Sequence, residues 1–307
     1  MIITNKHRRF WIPLGVFLLT IWFVLEGENK LAFISFFLLF GYIFFIVLFR
    51  SETLEEGVDY SNGLPVAKDE SLPCHTYYGE ELNFPDEELT EILTKHFPYF
   101  NSLPADNKPI FLKRLTRFIA EKTFKVYDDT VFREMPVLVS AAAIQLTFGL
   151  EKYLLPHFQF IHIYPQEFMR SNPVLCLLEG NVSGRAINLS WKHFLEGYAK
   201  PTDGQNVGLH EMAHALYYQT FIVEENIDKN FRDQYSNFRT DANKAYHTEK
   251  TIYGGLYSEY AEKNFQEFWA ESIELFFEKP AAMNRNYRQL YASLRSLLNQ
   301  DPLISNQ

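Results

Sequence analysis

The sequence predicts an α+β protein in which a small, mostly antiparallel sheet packs on helices and follows two N-terminal transmembrane helices. Three observations favour this class. Two long apolar runs occupy most of the first fifty residues, helical periodicity dominates after residue 85, and short β-rich segments interrupt it between residues 158 and 191. We therefore expect a transmembrane hairpin at residues 1–50, a linker at 51–85 and one globular domain at 86–307.

The predicted hairpin consists of apolar runs at residues 10–25 and 31–49. A membrane-spanning helix needs about 20 apolar residues, so the second run is long enough and the first is borderline. A cleaved signal peptide is the alternative for the first run, but a second apolar run directly after it is unexpected there. Basic residues flank both ends of the hairpin, namely Lys6, Arg8, Arg9 and Arg50. This pattern predicts a multi-pass protein of the inner (cytoplasmic) membrane, held through residues 10–49, whose C-terminal domain faces the cytoplasm.

Charge and cysteine content exclude two other classes of protein. The formal net charge is −9, whereas a surface that binds nucleic acid needs clustered Lys and Arg. We therefore expect no nucleic-acid partner. The chain has 2 cysteines, Cys74 and Cys176, which are too few for a disulfide framework.

The globular domain combines amphipathic helices with a central β-rich region. Residues 158–164, 174–178 and 185–191 are the strand candidates, and the Gly-containing residues between the last two fit a hairpin connection. The exposed edge of the sheet is expected near residues 185–189, where a substrate backbone could add as an extra strand. Helical periodicity predicts helices that start near residue 86 and that cover residues 108–124, 136–150, 206–221, 264–278 and 283–298.

A His-Glu-Met-Ala-His run at residues 210–214 is the most specific motif in the chain. On a helix, the four-residue spacing places His210 and His214 on one face, where both imidazoles can bind one metal ion. Glu211 lies beside them and could take a proton from zinc-activated water as that water attacks a carbonyl. Asn206 can cap the start of this helix. Two solvent-facing histidines are the alternative, but composition gives only about 0.03 chance matches to this pattern.

A catalytic zinc site needs a third protein ligand and an open position. The downstream segment around residues 265–277 carries Glu267, Glu271 and Glu274, which share one helix face at spacings of four and three. Carboxylates on so aromatic a helix are costly without a cation, so a bound metal and its histidines would compensate them. A solvated acidic stripe is the alternative interpretation of the same spacing.

These segments resemble the Mlc titration factor A family of glucose-regulated zinc metallopeptidases. The similarity covers about residues 85–300 and does not include the membrane hairpin. The family's Asn-Val-x-x-His-Glu-x-Ala-His-x-Leu segment is matched by Asn206, Val207, His210, Glu211, Ala213, His214 and Leu216. Its later segment is matched by Tyr260, Glu267, Ala270, Glu274, Phe276 and Phe277, and its strand endings by Tyr164-Pro165 and Leu189-Ser190-Trp191.

The resemblance implies a zincin-like metallopeptidase domain that uses Zn²⁺ to hydrolyse peptides or proteins, by aminopeptidase-like or limited proteolysis. It implies that the zinc ligands are His210, His214 and Glu267, that Glu211 is the general base, and that Tyr260 donates a hydrogen bond to the oxyanion. Either Glu271 or Glu274 could orient a ligand histidine without binding the metal itself, and Asn206 is a further candidate for such a supporting role. The sequence leaves the choice between the two acids open.

A second hypothesis is a membrane-tethered regulatory binding protein. Members of the resembled family are linked to sequestering a transcriptional regulator, so such a regulator is a possible partner. The intact His-Glu-x-x-His run argues against a purely binding role, because sequestration does not need a general base.

Overall fold

The computed structural model describes residues 73–128, 133–170, 176–224, 226–249 and 255–305. All of them belong to the second of two compact units, residues 57–307. The predicted transmembrane hairpin and most of the predicted linker lie outside the described residues. Among the described helices, none is long and apolar enough to cross a membrane.

A five-stranded sheet forms one layer of the domain. Its strands are β1 (His75–Tyr78), β2 (Thr123–Val126), β3 (Phe160–Tyr164), β6 (Gly180–Ser183) and β7 (Ala186–Ser190), arranged in the order β1-β2-β3-β7-β6. A separate two-stranded sheet pairs β4 (Phe168–Arg170) with β5 (Cys176–Leu178). Strand β1 lies within residues 51–85, the range that the sequence suggested as a linker.

The sheet is mixed, and the prediction of a mostly antiparallel sheet was wrong. Strand β3 pairs in parallel with both β2 and β7, while the outer pairs β1–β2 and β6–β7 are antiparallel. Parallel neighbours need a long crossover connection. A helix at Glu134–Thr147 supplies it between β2 and β3, and strands β4, β5 and β6 lie between β3 and β7 along the chain. Strands β3, β5 and β7 were recognisable from composition, but these connections were not.

The exposed edge of the sheet near the motif is strand β6, so the expectation of an edge near residues 185–189 was also wrong. Residues 186–190 form β7, which lies between β3 and β6. The chain turns sharply between β6 and β7 through Gly184, whose φ is 57°. Such a φ favours glycine, which explains the tight hairpin. The segment taken as a hairpin connection is thus the edge strand itself.

Helices pack against the sheet, and most of them agree with the predicted segments. The predicted C-terminal helix is divided in two at Tyr287, whose backbone is not helical. The helices are α1 (Asp86–His96), α2 (Pro98–Ser102), α3 (Asn107–Ala120), α4 (Glu134–Thr147), α5 (Trp191–Ala199), α6 (Val207–Tyr218), α7 (Lys229–Glu249), α8 (Phe265–Glu278), α9 (Pro280–Asn286), α10 (Arg288–Leu298) and α11 (Pro302–Ser305).

Helix α6 lies between the sheet and helix α8, and this packing positions the motif. It contacts β6 and β7 on one side and α8 on the other. Its apolar residues, such as Leu209 and Met212, are fully buried. Trp269 of α8 is also fully buried, and its indole N–H donates to the Ala213 carbonyl at 2.9 Å. Because α6 and α8 pack against each other in this way, the polar side chains of the two helices face each other.

Candidate metal centre

Asn206 determines where helix α6 begins. Its backbone is extended, and its Oδ1 accepts the Leu209 N–H at 3.0 Å, which satisfies one of the free donors of the first turn. His210 and His214 then lie one turn apart on the same face. Their Nε2 atoms are 3.1 Å from each other, and their ring centroids are 4.8 Å apart.

Glu267 approaches the two histidines from the first turn of helix α8. Asn264 caps this helix, with Oδ1 accepting the Gln266 and Glu267 N–H groups at 2.9 and 3.0 Å. Glu267 Oε2 lies 3.1 Å from His210 Nε2 and 3.3 Å from His214 Nε2. The predicted trio therefore comes together, with one potential ligand atom from each residue within 4.8 Å of the others.

The chemistry of this trio fits a divalent metal such as zinc. Two imidazole nitrogens and one carboxylate oxygen are a common ligand set for catalytic zinc. Burial lowers the pKa of His214, which favours the neutral ring that a ligand requires. Although burial alone would raise it, hydrogen bonds from the two histidines hold the pKa of Glu267 well below its usual range. This carboxylate is therefore ionised at neutral pH.

Glu274 lies beside His210, whereas Glu271 does not. Glu274 Oε1 is 2.7 Å from His210 Nδ1, and its Oε2 accepts the backbone N–H of Asn206. Although burial lowers it, the carboxylates of Glu274 and Glu267 raise the pKa of His210 well above its usual range, so a metal at Nε2 would replace the second ring proton that these carboxylates favour. Glu271 instead accepts hydrogen bonds from the backbone and hydroxyl of Ser258. The structure thus distinguishes the contacts of Glu271 and Glu274, which the helical spacing alone could not do.

Glu278 extends this network and was not recognised in the sequence. Its Oε1 accepts Asn206 Nδ2–H at 2.9 Å, and its Oε2 accepts the Gly204 N–H at 3.0 Å. Burial raises the pKa of Glu278 to about 7. The signal that could have identified it is its position four residues after Glu274, on the helix face that already carries the other acids.

Glu211 is buried beside strand β6. Only 4% of its surface is exposed, and its Oε2 has no hydrogen-bond partner among the described residues. Burial raises the pKa of Glu211 to about 8. A Cβ atom at Gly180 would lie 2.6 Å from both Cγ and Oε1 of Glu211, so the strand approaches this carboxyl more closely than any other residue type permits. Gly180 is therefore a second site residue that the sequence interpretation missed.

Tyr260 lies at the rim of the cluster, in a turn just before helix α8. Its ring centroid is 6.2 Å from that of His210, and 43% of its surface is exposed. The ammonium of Lys263 lies 3.4 Å from the centroid of the Tyr260 ring. The predicted residue is therefore on the same side of the domain as the histidine pair.

Two comparisons bear on this site. An uncharacterized protein of Synechocystis sp., slr2042, is 25% identical over 231 residues, which cover 70% of this chain and 84% of that protein. The model of the glucose-regulated metallo-peptidase M90 family matches residues 79–298, which include every site residue described above. The resemblance seen in the sequence is thus confirmed, and with it a metallopeptidase-type activity that implies a bound metal and peptide or protein substrates. This chain belongs to the glucose-regulated metallopeptidase family M90.

Proposed function

We propose that this protein is a zinc-dependent peptidase whose metal ligands are His210, His214 and Glu267. The observation that carries the proposal is the convergence of two imidazole nitrogens and one carboxylate oxygen beside the buried acid Glu211. A zinc ion bound there would supply a Lewis acid that polarises the scissile carbonyl and makes water more acidic.

Glu274 acts as the acid that orients His210. Its Oε1 accepts the Nδ1–H of that ring, which leaves Nε2 as the metal-binding nitrogen. Its second oxygen holds the backbone of Asn206 at the start of the same helix. One carboxylate thus fixes both the ring and the helix that carries it.

Glu211 serves as the general base. It accepts a proton from the attacking water and returns it to the departing amine, so it must exchange protons near neutral pH. Burial raises the pKa of Glu211 to about 8, and the positive charge of a metal bound beside it would favour the ionised carboxylate that can accept the proton. The low exposure of the carboxyl also strengthens its interaction with charge that develops nearby.

Tyr260 donates a hydrogen bond to the oxyanion of the tetrahedral intermediate. Its position near His210 supports this role. A phenol that contacts charge present only in the transition state increases kcat and has little effect on the affinity for the substrate.

The substrate backbone pairs with the open edge of strand β6. Ser190 N–H donates to Glu179 O at 2.7 Å, and the register places Gly180 opposite Leu189. Because pairing groups alternate along an antiparallel strand, the N–H and C=O groups of Gly180 and Val182 point away from β7. These groups are available to an extended peptide, which Gly180 would bring directly over Glu211.

Replacement of Glu211 by Gln tests the assignment. We expect the purified variant to retain about one equivalent of zinc and to lose at least about a hundredfold in kcat, because the amide cannot accept the proton. Glu196→Gln, which changes an exposed acid on α5, is the control that should retain activity. Unchanged turnover in Glu211→Gln would contradict the peptidase mechanism. A wild-type protein without metal and without activity on a peptide library would favour the regulatory binding protein instead.

We further propose that the cleavage is aminopeptidase-like. Two sets of identical peptides, one with free and one with acetylated N-termini, distinguish aminopeptidase from endopeptidase cleavage. We expect cleavage of the free peptides from the N-terminus, and equal cleavage of internal bonds in both sets would point to an endopeptidase.

We also propose that residues 10–49 anchor the protein in the inner membrane and leave the peptidase domain in the cytoplasm. The basic residues that flank the apolar runs support this orientation. A C-terminal reporter that is active only outside the cytoplasm should be silent, and a strong reporter signal would reverse the assigned orientation.

A further inference from the structure

Glu271 holds Ser258 through two atoms. One carboxylate oxygen accepts the backbone N–H of Ser258 at 3.0 Å, and the other accepts its hydroxyl hydrogen. Hydrogen bonds to an ionised acceptor are stronger than those between neutral groups. The serine is therefore fixed both in its backbone and in the orientation of its hydroxyl.

Ser258 in turn holds the backbone of Tyr260. Its Oγ accepts the Tyr260 N–H at 3.0 Å, and its carbonyl accepts the Ala261 N–H at 3.2 Å. A hydroxyl has one hydrogen and two lone pairs, so the hydrogen can go to Glu271 while a lone pair accepts from Tyr260. The three residues form a continuous chain from helix α8 to the turn that carries the tyrosine.

Other contacts hold the ends of this turn. The Tyr257 hydroxyl is 2.8 Å from Ser272 Oγ, and the Tyr246 hydroxyl donates to the Glu262 carbonyl at 3.0 Å. Ala261 is buried. Loss of the Ser258 hydroxyl should therefore leave the turn attached while its centre, at the half-exposed Tyr260, loses a local constraint.

We infer that Ser258 and Glu271 are positioning residues for catalysis, which set the backbone at Tyr260 so that its phenol meets the developing oxyanion. This inference rests on the proposed role of Tyr260. It gives Glu271 a different task from Glu274, since one acid orients the tyrosine turn and the other orients a metal ligand. A shift of the donor by about 1 Å is enough to lower the rate substantially.

Single substitutions test the inference on the full-length protein loaded with zinc. Ser258→Ala and Glu271→Gln should each lower kcat by roughly tenfold, with little change in KM or in bound zinc. Ser258→Thr, which keeps the hydroxyl, should retain most of the wild-type kcat. Glu259→Gln removes a neighbouring exposed acid from the same turn and should leave kcat unchanged.

A double variant then separates positioning from a general structural effect. Tyr260→Phe alone should lower kcat by about a hundredfold or more, and adding Ser258→Ala should lower it no further, because both act through the same phenol. Additive losses, a loss of bound zinc in Ser258→Ala, or an unchanged kcat in that variant would each overturn the inference. An unchanged kcat in Tyr260→Phe would instead refute the proposed role of the tyrosine.

Discussion

At the scale of single residues, the acids of helix α8 contact different sets of partners although they share one face. Glu267 reaches both histidines, Glu271 reaches Ser258, and Glu274 reaches His210 and Asn206. His210, His214 and Asn206 belong to helix α6 and its cap, whereas Ser258 belongs to the turn before helix α8. Helical spacing predicts that such side chains are neighbours, but only the placement of one helix against another decides which neighbour each one contacts.

Glu274→Gln should weaken zinc binding. The amide cannot provide the charge that the His210 ring and the Asn206 N–H now share, and losing such an outer partner typically costs about 10- to 100-fold in metal affinity. Competition with a chromophoric chelator measures the affinity directly. Glu271→Gln, one turn away on the same helix, is the matched control and should retain wild-type affinity. Equal losses in both variants would show that the two acids are not distinguished in this way.

Gly180→Ala should damage catalysis without removing the metal. The added Cβ would lie 2.6 Å from Glu211 Oε1, so either the carboxyl or the strand must move. Because the proposed role of Glu211 as general base depends on its alignment with the attacking water, we expect kcat to fall by roughly tenfold or more. Zinc content and kcat are measured on the same preparation. Ser183→Ala on the same strand is the control, and wild-type kcat in Gly180→Ala would contradict the close approach.

At the scale of elements, the start of helix α6 depends on the carboxylates of helix α8. Asn206 offers its Oδ1 to the helix and its Nδ2 to Glu278, while Glu274 accepts its backbone N–H. Asparagine and aspartate are nearly equivalent caps in general. Here they are not equivalent, because only the amide can donate to Glu278.

Asn206→Asp should therefore destabilise the domain, by about 1–3 kcal/mol in the free energy of unfolding. The new carboxylate would face Glu278 Oε1, 2.9 Å from the atom it replaces. Adding Glu278→Gln supplies a donor and should recover most of the loss. Urea unfolding of the metal-free single and double variants provides the comparison. If the double variant is no more stable than Asn206→Asp alone, the repulsion is not the cause.

The elements that the sequence predicted well are those with a signal at their ends. Asn206 and Asn264 both precede apolar periodicity, and the structure starts α6 and α8 directly after them. The short strands β1, β2, β4 and β6 were not predicted. Strand β4 has 3 residues and the others have 4, which is too short for alternation to be distinctive. Gly180 was taken for a turn residue because its role depends on Glu211, which is distant in sequence.

At the scale of the whole molecule, a buried lysine connects the junction of α3 and β2 to the loop before strand β3. Lys122 lies between α3 and β2, is 3% exposed, and donates to the carbonyls of Leu154 and Leu155 at 2.7 and 2.9 Å. Leu155 has a φ of 48°, so its backbone adopts a conformation that is uncommon for leucine. The ammonium thus secures the loop that leads into the central strand β3.

The contribution of this lysine to the stability of the domain should increase as the pH rises from about 8 towards 10.5. Burial lowers the pKa of Lys122 from 10.5 to about 8. Between these values the unfolded chain binds a proton that the folded chain has released, so the free energy of unfolding increases with pH. The full increase corresponds to about 3 kcal/mol.

Other groups titrate in the same range, so the measurement must be a difference. Burial raises the pKa of Tyr99 and Tyr164 well above the usual value, and these residues reduce the stability as the pH rises past 10. Lys122→Met removes the lysine and leaves the tyrosines. The free energy of unfolding of the wild type, minus that of the variant, should therefore increase between pH 8 and 10. Lys113→Met, an exposed position on α3, should give a constant difference. Urea unfolding at closely spaced pH values measures the free energy of unfolding of the wild type and of each variant. If the wild type and Lys122→Met show the same dependence on pH, the buried ammonium keeps its proton in the folded domain.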